Sequence, residues 1–227
     1  MSDEQSAGTA YLAALKPSSP PHVAGAAAVR TVEAVRLGQT SVSGLPLTRP
    51  EGRFRCKLRC MSTGLELIRA GAEHQSALGN LLELYIHEFS ELIPIDVGDD
   101  GRYGYKSLPL FWSDNSRLPL LARLDGKLVG FVLVTQGSEP FGDSEAWDMA
   151  EFFVLRRYRH RGIGTQLAEK VWLRCPGRWQ IRVMEKNILA RKFWESSIAK
   201  FTGQPAQSTH FVKDGVAWHR FSLDSRR

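Results

Sequence analysis

The chain has few cysteines and no long apolar run. Three of its 227 residues are cysteine, and this small, odd number argues against a disulfide framework. We therefore expect a reducing compartment, the cytoplasm. No apolar run reaches the roughly 18 residues that a transmembrane helix needs, so we expect no membrane partner. Asp3 and Glu4 open the chain without an apolar run behind them, and we expect no signal peptide.

A metal site is also not expected. Cys56 and Cys60 form an isolated C-x3-C pair. No second Cys or His pair is spaced to complete a tetrahedral set of ligands. The sequence therefore predicts no bound metal.

The positive charge is concentrated in the first quarter of the chain. The net charge is +6, and residues 1–61 hold eight Lys or Arg against four Asp or Glu. That stretch is rich in proline and alanine and has only two aromatic residues, so it buries too little apolar surface to fold. We expect a disordered extension over 1–61 and one folded domain over 62–227. Because Met61 directly precedes the first regular pattern, the extension could also be absent from the natural product. The excess charge lies in a tail with few aromatics for base stacking, so we expect no nucleic-acid partner.

Regular patterns begin at residue 65 and alternate between strand and helix. Apolar residues recur at helical spacing near 74–90, and 91–116 is a long loop with room for one short helix. Strands are predicted over 65–69, 119–123, 127–135, 146–155, 179–184, 209–212 and 216–223, and further helices over 165–174 and 189–199. This order predicts a mixed α/β domain.

The strongest local signal is a glycine-bearing turn before a helix. The turn reads Arg159-His160-Arg161-Gly162-Ile163-Gly164-Thr165. A helix N-terminus offers unpaired N–H groups and the positive end of its dipole, which together favour phosphate. Four arginines cluster here, at 156, 157, 159 and 161, and suit a ligand with several phosphates. A P-loop would need a Gly-Lys-Ser/Thr ending, and a dinucleotide fingerprint would need a third glycine where Leu167 stands.

Two motifs together resemble one family. Arg159-x-x-Gly162-x-Gly164, after a strand that ends in Val154, is similar to motif A of the GNAT superfamily of N-acetyltransferases. Asn187-x-x-Ala190-x-x-Phe193-Trp194, after the next strand, resembles its motif B. The resemblance covers residues 65–223. It implies a central mixed, twisted sheet of six to seven strands with about four helices, in which strands four and five splay apart.

The resemblance implies acetyl-coenzyme A as co-substrate and transfer of its acetyl group to an amine. The turn 159–165 would hold the pyrophosphate, and Arg156 and Arg161 would lie near the adenosine phosphates. The backbone of Phe152–Val154 would pair with the pantetheine arm, with the Phe152 N–H facing the thioester carbonyl. Asn187 would contact the pantetheine or only cap its helix. The implied cofactor-binding residues are Phe152, Phe153, Val154, Arg156, Arg159, His160, Arg161, Gly162, Ile163, Gly164, Thr165, Asn187, Phe193 and Trp194.

Acetyl transfer to an ammonium group needs a base. Asp148 and Glu151 both qualify by position on the fourth strand. They would face opposite sides of an unbroken strand, unless a bulge changes the alternation. We favour Glu151 because its apolar neighbours would desolvate it and raise its pKa.

One position departs from the family pattern. Many relatives carry a tyrosine at position 194 as general acid, whereas Trp194 cannot deliver a proton. Tyr103 and Tyr105 are candidates to replace it. The departure leaves open an alternative function, a non-catalytic acyl-coenzyme A binding or sensing module.

The acceptor is predicted only as a class. Residues 83–100 contain six acids and no Lys or Arg, in the region that shapes the acceptor pocket of the family. Such a field would attract a cationic amine. We expect a small-molecule or peptide amine as partner, and a monomer or homodimer.

Overall fold

A computed structural model of the chain describes residues 64–138 and 143–226. The predicted extension over 1–61 and the Cys56/Cys60 pair lie outside these residues, and the domain boundary stays a prediction. The described part contains seven strands and four helices. The strands are β1 Leu65–Arg69, β2 Arg117–Leu124, β3 Lys127–Ser138, β4 Asp143–Val154, β5 Arg178–Met184, β6 Ser208–Lys213 and β7 Val216–Asp224. The helices are α1 Gln75–Phe89, α2 Leu110–Ser113, α3 Ile163–Arg174 and α4 Ile188–Thr202.

All seven strands form one mixed sheet in the order β1-β2-β3-β4-β5-β7-β6. The β4–β5 pair is parallel, and each of the other neighbouring pairs is antiparallel. The predicted fold class is therefore confirmed, including the number of strands and helices. Tight turns explain the antiparallel pairs: Asp125-Gly126 and Asp214-Gly215 connect neighbouring strands, and all four residues have positive φ angles.

Two apolar cores lie on opposite sides of the sheet. On the side that we call the α1 face, buried residues of α1 such as Leu78 and Leu82 pack with Phe131 and Phe153 of the sheet. On the side that we call the α3 face, Leu167 and Trp172 of α3 pack with Trp179 of the sheet and with residues of α4. Because successive side chains along a strand point to opposite sides of the sheet, each strand residue belongs to one of these two faces.

A β-bulge in β4 changes this alternation at one place. Val134 of β3 pairs with Met149, whereas the preceding Leu133 pairs with Glu151, so Ala150 is the extra residue. The bulge places Asp148 and Glu151 on the same side, the α1 face. An unbroken strand would have placed them on opposite faces.

The boundaries of the elements differ from the predicted ones by a few residues. Strand β4 begins at Asp143 instead of 146, and α3 begins at Ile163 instead of 165. The short helix expected within 91–116 is α2. The structure also extends the last turn of the predicted α4 to Thr202, where Gly203 at φ 73° ends the helix.

Candidate active site

A gap opens between the carboxyl halves of β4 and β5. Among the described residues, the two strands pair only at Trp147↔Trp179 and Asp148↔Gln180. Beyond these pairs β4 continues to Val154 and β5 to Met184 without pairing to each other. The splay predicted for strands four and five is therefore present, and it exposes the main chain at the end of β4.

The direction of the β4 peptide groups determines what faces this gap. The Leu155 N–H donates to Val129 O at 2.9 Å and so points towards β3. The Val154 carbonyl instead accepts from Arg159 Nε at 2.7 Å, on the side away from β3. Because peptide groups alternate along an extended strand, the main-chain groups of Phe152 and Val154 both point into the gap.

The glycine-bearing turn follows directly and leads into α3. Gly162 is the N-cap of α3 with φ 75°, a left-handed conformation that suits glycine, and it offers no side-chain cap. The first N–H groups of a helix have no partner within the helix. His160 also has a positive φ of 59°. Gly164 is closely packed, because a Cβ there would lie 3.0 Å from Cε2 of Phe193.

Arg156, just before the turn, and Arg159, within it, both form ion pairs with the end of α1. Glu88 contacts Arg156 at 3.0 Å through one carboxylate oxygen and Arg159 at 2.8 Å through the other. Arg156 also lies 3.6 Å from Glu91. The Arg159 guanidinium lies over the Phe153 ring, 5.4 Å from its centroid. Arg159 thus fixes the end of β4 to α1, whereas Arg161 is exposed.

Glu151 is buried on the α1 face beside the gap, between two tyrosines. Tyr85 donates to its Oε2 at 2.5 Å, and Tyr105 donates to its Oε1 at 3.0 Å. Burial raises the pKa of Glu151 to about 7, against the lowering effect of both tyrosine hydrogen bonds and of Arg182. A carboxyl group with this pKa can exchange a proton near neutral pH.

Asp148 is buried nearby and forms an ion pair with β5. Its Oδ2 lies 2.6 Å from Nη2 of Arg182, and both side chains are almost fully buried. Its Oδ1 is buried and has no hydrogen-bond partner among the described residues. Burial raises the pKa of Asp148, and the Arg182 guanidinium opposes that rise. The pair connects β4 to β5 just where the gap begins.

Comparison with known proteins identifies the family. The sequence model of the acetyltransferase (GNAT) family matches residues 79–198, more than half of the chain. The chain belongs to the GNAT family. It is therefore an N-acetyltransferase that uses acetyl-coenzyme A and an amine acceptor, and the enzymatic interpretation of the motifs is confirmed.

Solved acetyltransferase structures share the fold. An acetyltransferase from Thermus thermophilus superposes with a TM-score of 0.54 at 15% identity, over 70% of this chain and 96% of that one. A GNAT acetyltransferase from Staphylococcus aureus gives a TM-score of 0.51 at 19% identity, over 70% and 99% of the two chains. No curated protein sequence matches the chain.

The second GNAT motif lies at the start of α4. Asn187 caps this helix, accepting from the Ala190 N–H at 3.0 Å. Phe193 and Trp194 form an aromatic cluster with Phe152, whose ring centroid lies 5.5 Å from that of Phe193 and 4.9 Å from that of Trp194. The cluster therefore packs α4 against β4 beside the gap. Thr165 joins α3 to α4 through its hydroxyl, 3.2 Å from that of Ser197.

The remaining predicted cofactor-binding residues are divided between the two cores and the surface. Phe153 is buried on the α1 face against Tyr85, with ring centroids 5.8 Å apart. Val154 and Ile163 are buried in the core on the α3 face. Arg156, His160 and Arg161 are exposed at the surface of the turn.

Several acids of the stretch 83–100 stabilise the fold. Glu83 accepts from the N–H groups of Tyr103 and Gly104 at 2.7 and 3.0 Å, which anchors the loop after α1. Glu88 and Glu91 bind the arginines of the turn. The acidic field expected at the acceptor entrance is thus partly neutralised by these contacts.

Sequence reasoning missed two members of the site. Tyr85 lies within the helix predicted near 74–90 and Arg182 within the strand predicted over 179–184, and the sequence alone indicates a role for neither. The available signal for Arg182 was an arginine between the apolar residues Ile181 and Val183 in a buried strand. A buried arginine requires a partner, and a carboxylate is the usual one.

The described residues contain no group of three or more potential metal ligands. Within the same residues, no helix combines the length and the apolar character of a membrane span.

Proposed function

We propose that the chain acetylates a primary amine by direct attack in a ternary complex, with Glu151 as general base. The observation that carries this proposal is the position of Glu151, a buried carboxyl group with a pKa of about 7 beside the β4–β5 gap. Ionised Glu151 takes a proton from the acceptor's ammonium group through its carboxylate, directly or through water. The amine then has the lone pair that acyl transfer requires.

Acetyl-coenzyme A supplies the activated acetyl group. We propose that the N–H groups of the turn 159–165 bind its pyrophosphate, and that Arg156 and Arg161 lie near its other phosphates. The left-handed Gly162 supports this assignment, because it lacks a side chain that would keep a ligand away from the first N–H groups of α3.

The main chain of β4 completes the proposed co-substrate site. The Phe152 N–H points into the gap, where it can donate to the thioester carbonyl oxygen and stabilise negative charge during attack. The Val154 N–H faces the same gap and can donate to the pantetheine arm, whereas the Val154 carbonyl accepts from Arg159. Phe193 and Trp194 border the gap. Burial, and secondly the charge of Glu151, raises the pKa values of Tyr85 and Tyr105 well above 10. We therefore do not assign either tyrosine as the acid that protonates the leaving thiolate.

The acceptor is a small molecule or the amino group of a peptide. The predicted cationic acceptor depended on the acids in 83–100, and three of these have structural partners. A cytoplasmic location, a monomeric or homodimeric state and the absence of nucleic-acid binding stay predictions.

Turnover with a panel of amines tests the proposal. Purified protein with acetyl-coenzyme A should release free thiol in equal amount to an N-acetylated product measured by mass spectrometry. Tight binding of acetyl-coenzyme A without acetylation of any amine in the panel would contradict it.

A further inference from the structure

The side chain of Arg159 closes the last main-chain carbonyl of β4 that faces the gap. Its Nε donates to the Val154 carbonyl oxygen at 2.7 Å. Two further contacts fix the guanidinium: Nη2 lies 2.8 Å from Oε2 of Glu88, and the group lies over the Phe153 ring, 5.4 Å from its centroid. Arg159 is therefore held in this place both by α1 and by β4.

The other gap-facing groups of β4 belong to the same short stretch. The N–H and carbonyl groups of Phe152 and the N–H of Val154 face the gap, and β5 pairs with neither residue. Main-chain groups that face the same edge of a strand recur every two residues, about 6.7 Å along it. With the Val154 carbonyl closed by Arg159, this stretch presents two donors to the gap but only one acceptor, the Phe152 carbonyl.

The pantetheine arm could lie along such an edge in more than one register, because it carries two amide groups. When an amide N–H of the arm donates to the Phe152 carbonyl, the thioester lies near the Phe152 N–H and Glu151. A shift by two residues towards the turn would bring that amide to the Val154 carbonyl instead. It would also carry the thioester about 6.7 Å away from the proposed base. Arg159 already occupies the carbonyl that this shifted register needs.

We propose that Arg159 sets the register in which the pantetheine arm lies along β4, and that it is a positioning residue for the thioester. This inference rests on the proposed binding of acetyl-coenzyme A in the gap. The Phe152 carbonyl accepts from the arm, and the closed Val154 carbonyl excludes the register that is shifted towards the turn. In this role the Arg159 side chain acts on the arm, whereas the phosphates bind at the N–H groups of the turn and near Arg156 and Arg161.

The test compares acetyl-coenzyme A with S-acetyl-pantetheine, which has the same arm without the nucleotide and its phosphates. Both are used with the best acceptor of the amine panel at saturating concentration. The wild type should use both donors, with the higher KM for S-acetyl-pantetheine. Arg159→Met keeps an apolar chain on Phe153 but cannot donate a hydrogen bond, so the shifted, unreactive register becomes available.

Unreactive binding of this kind lowers kcat and KM by the same factor. For S-acetyl-pantetheine we expect both constants of Arg159→Met to fall by roughly two- to tenfold, the weight of one hydrogen bond. With acetyl-coenzyme A the phosphates also fix the register, so both constants should stay within about twofold of the wild type. The dissociation constant of acetyl-coenzyme A, measured by calorimetric titration without an acceptor, should likewise stay within about twofold.

A matched control is Arg117→Met, at the start of β2. The Arg117 side chain makes the same kinds of contact as that of Arg159: Nε lies 2.9 Å from Oδ2 of Asp114, and the guanidinium lies 5.5 Å from the centroid of the Phe111 ring. It is separated from β4 by β3. The kinetic constants of this variant for both donors should equal those of the wild type.

Three results would overturn the inference while leaving the proposed function intact. The first is a raised dissociation constant and KM for acetyl-coenzyme A in Arg159→Met with unaltered constants for S-acetyl-pantetheine, since Arg159 would then be a phosphate ligand. The second is a wild type that uses acetyl-coenzyme A but not S-acetyl-pantetheine. The third is an equal fall of kcat and KM in Arg117→Met. Absence of thiol release from both donors in the wild type would overturn the proposed function as well.

Discussion

The hydroxyl of Tyr85 in α1 donates to Oε2 of Glu151 in β4 at 2.5 Å. The two residues are 66 positions apart in the sequence. This bond favours the ionised carboxylate and so lowers the pKa of Glu151, whereas burial raises it. The resulting pKa of about 7 is therefore set jointly by a helix and a strand.

Removal of this hydroxyl should change the pH dependence of the reaction. In Tyr85→Phe the pKa of Glu151 should rise, so that less of the base is ionised at pH values below it. We expect the midpoint of the pH profile of kcat/KM to move to higher pH, with a loss of roughly tenfold near pH 6.5 and recovery in alkaline solution. Tyr103→Phe is the control, because the Tyr103 hydroxyl contacts His87 instead of Glu151. An unchanged profile in Tyr85→Phe would contradict this role.

The sequence predicts the fold well because the signals are local. Hydrophobic periodicity indicates α1, and the turns around Gly126 and Gly215 indicate the hairpins. The motifs at Arg159–Gly164 and Asn187–Trp194 both resemble motifs of one family. This resemblance implies the order of the elements around the gap. Each of these signals lies within a window of about 11–18 residues, over which periodicity is visible in a single sequence.

The site was less predictable because it depends on register and long-range contacts. Glu151 could be favoured from its apolar neighbours, but its face depends on the bulge at Ala150, which no residue type in that run encodes. The partners Tyr85 and Arg182 come from separate elements, brought together only by the packed sheet. Their roles therefore follow only from the folded structure.

The Asp148–Arg182 pair should contribute mainly to stability. Asp148→Asn leaves the Arg182 charge buried without its carboxylate, and we expect a loss of about 3–5 kcal/mol in the free energy of unfolding. Asp143→Asn is the matched control, because its pair with Arg178 is more exposed and should contribute no more than about 1 kcal/mol. Chemical denaturation measures both values. Equal losses in the free energy of unfolding for the two variants would show that burial of the Asp148–Arg182 pair does not increase its contribution to stability.

Two helical glycines should respond in opposite ways to alanine. A Cβ at Gly164 would lie 3.0 Å from Phe193, which packs against Phe152. Gly164→Ala should therefore cost about 1–3 kcal/mol of stability and weaken binding of acetyl-coenzyme A. In α1, a Cβ at Gly79 meets only Leu108 at 3.7 Å, so Gly79→Ala should stabilise the protein by about 0.5–1 kcal/mol. Thermal denaturation and calorimetric titration measure these effects. A neutral Gly164→Ala would contradict the tight contact between α3 and α4.

Arg156 and Arg161 should not contribute equally to the binding of acetyl-coenzyme A. Arg156 already contacts Glu88 and Glu91, so recruiting it for a phosphate competes with these carboxylates. We expect Arg161→Gln to raise the dissociation constant by roughly fivefold, and Arg156→Gln to raise it less. Isothermal titration at low and high salt measures both, and the difference should shrink at high salt. A larger rise in the dissociation constant for Arg156→Gln than for Arg161→Gln would contradict this prediction.

The central claim is that Glu151 removes the proton from the acceptor amine. Its most direct test is the pH profile of kcat/KM for the wild type and for Glu151→Gln, with acetyl-coenzyme A affinity measured in parallel. We expect wild-type activity to rise with pH through a midpoint near 7, because only the ionised carboxylate accepts a proton. Glu151→Gln should lose this midpoint and about tenfold or more of the rate, with unchanged affinity for acetyl-coenzyme A. Retention of both the midpoint and the rate in Glu151→Gln, or their loss only in Asp148→Asn, would contradict the assignment.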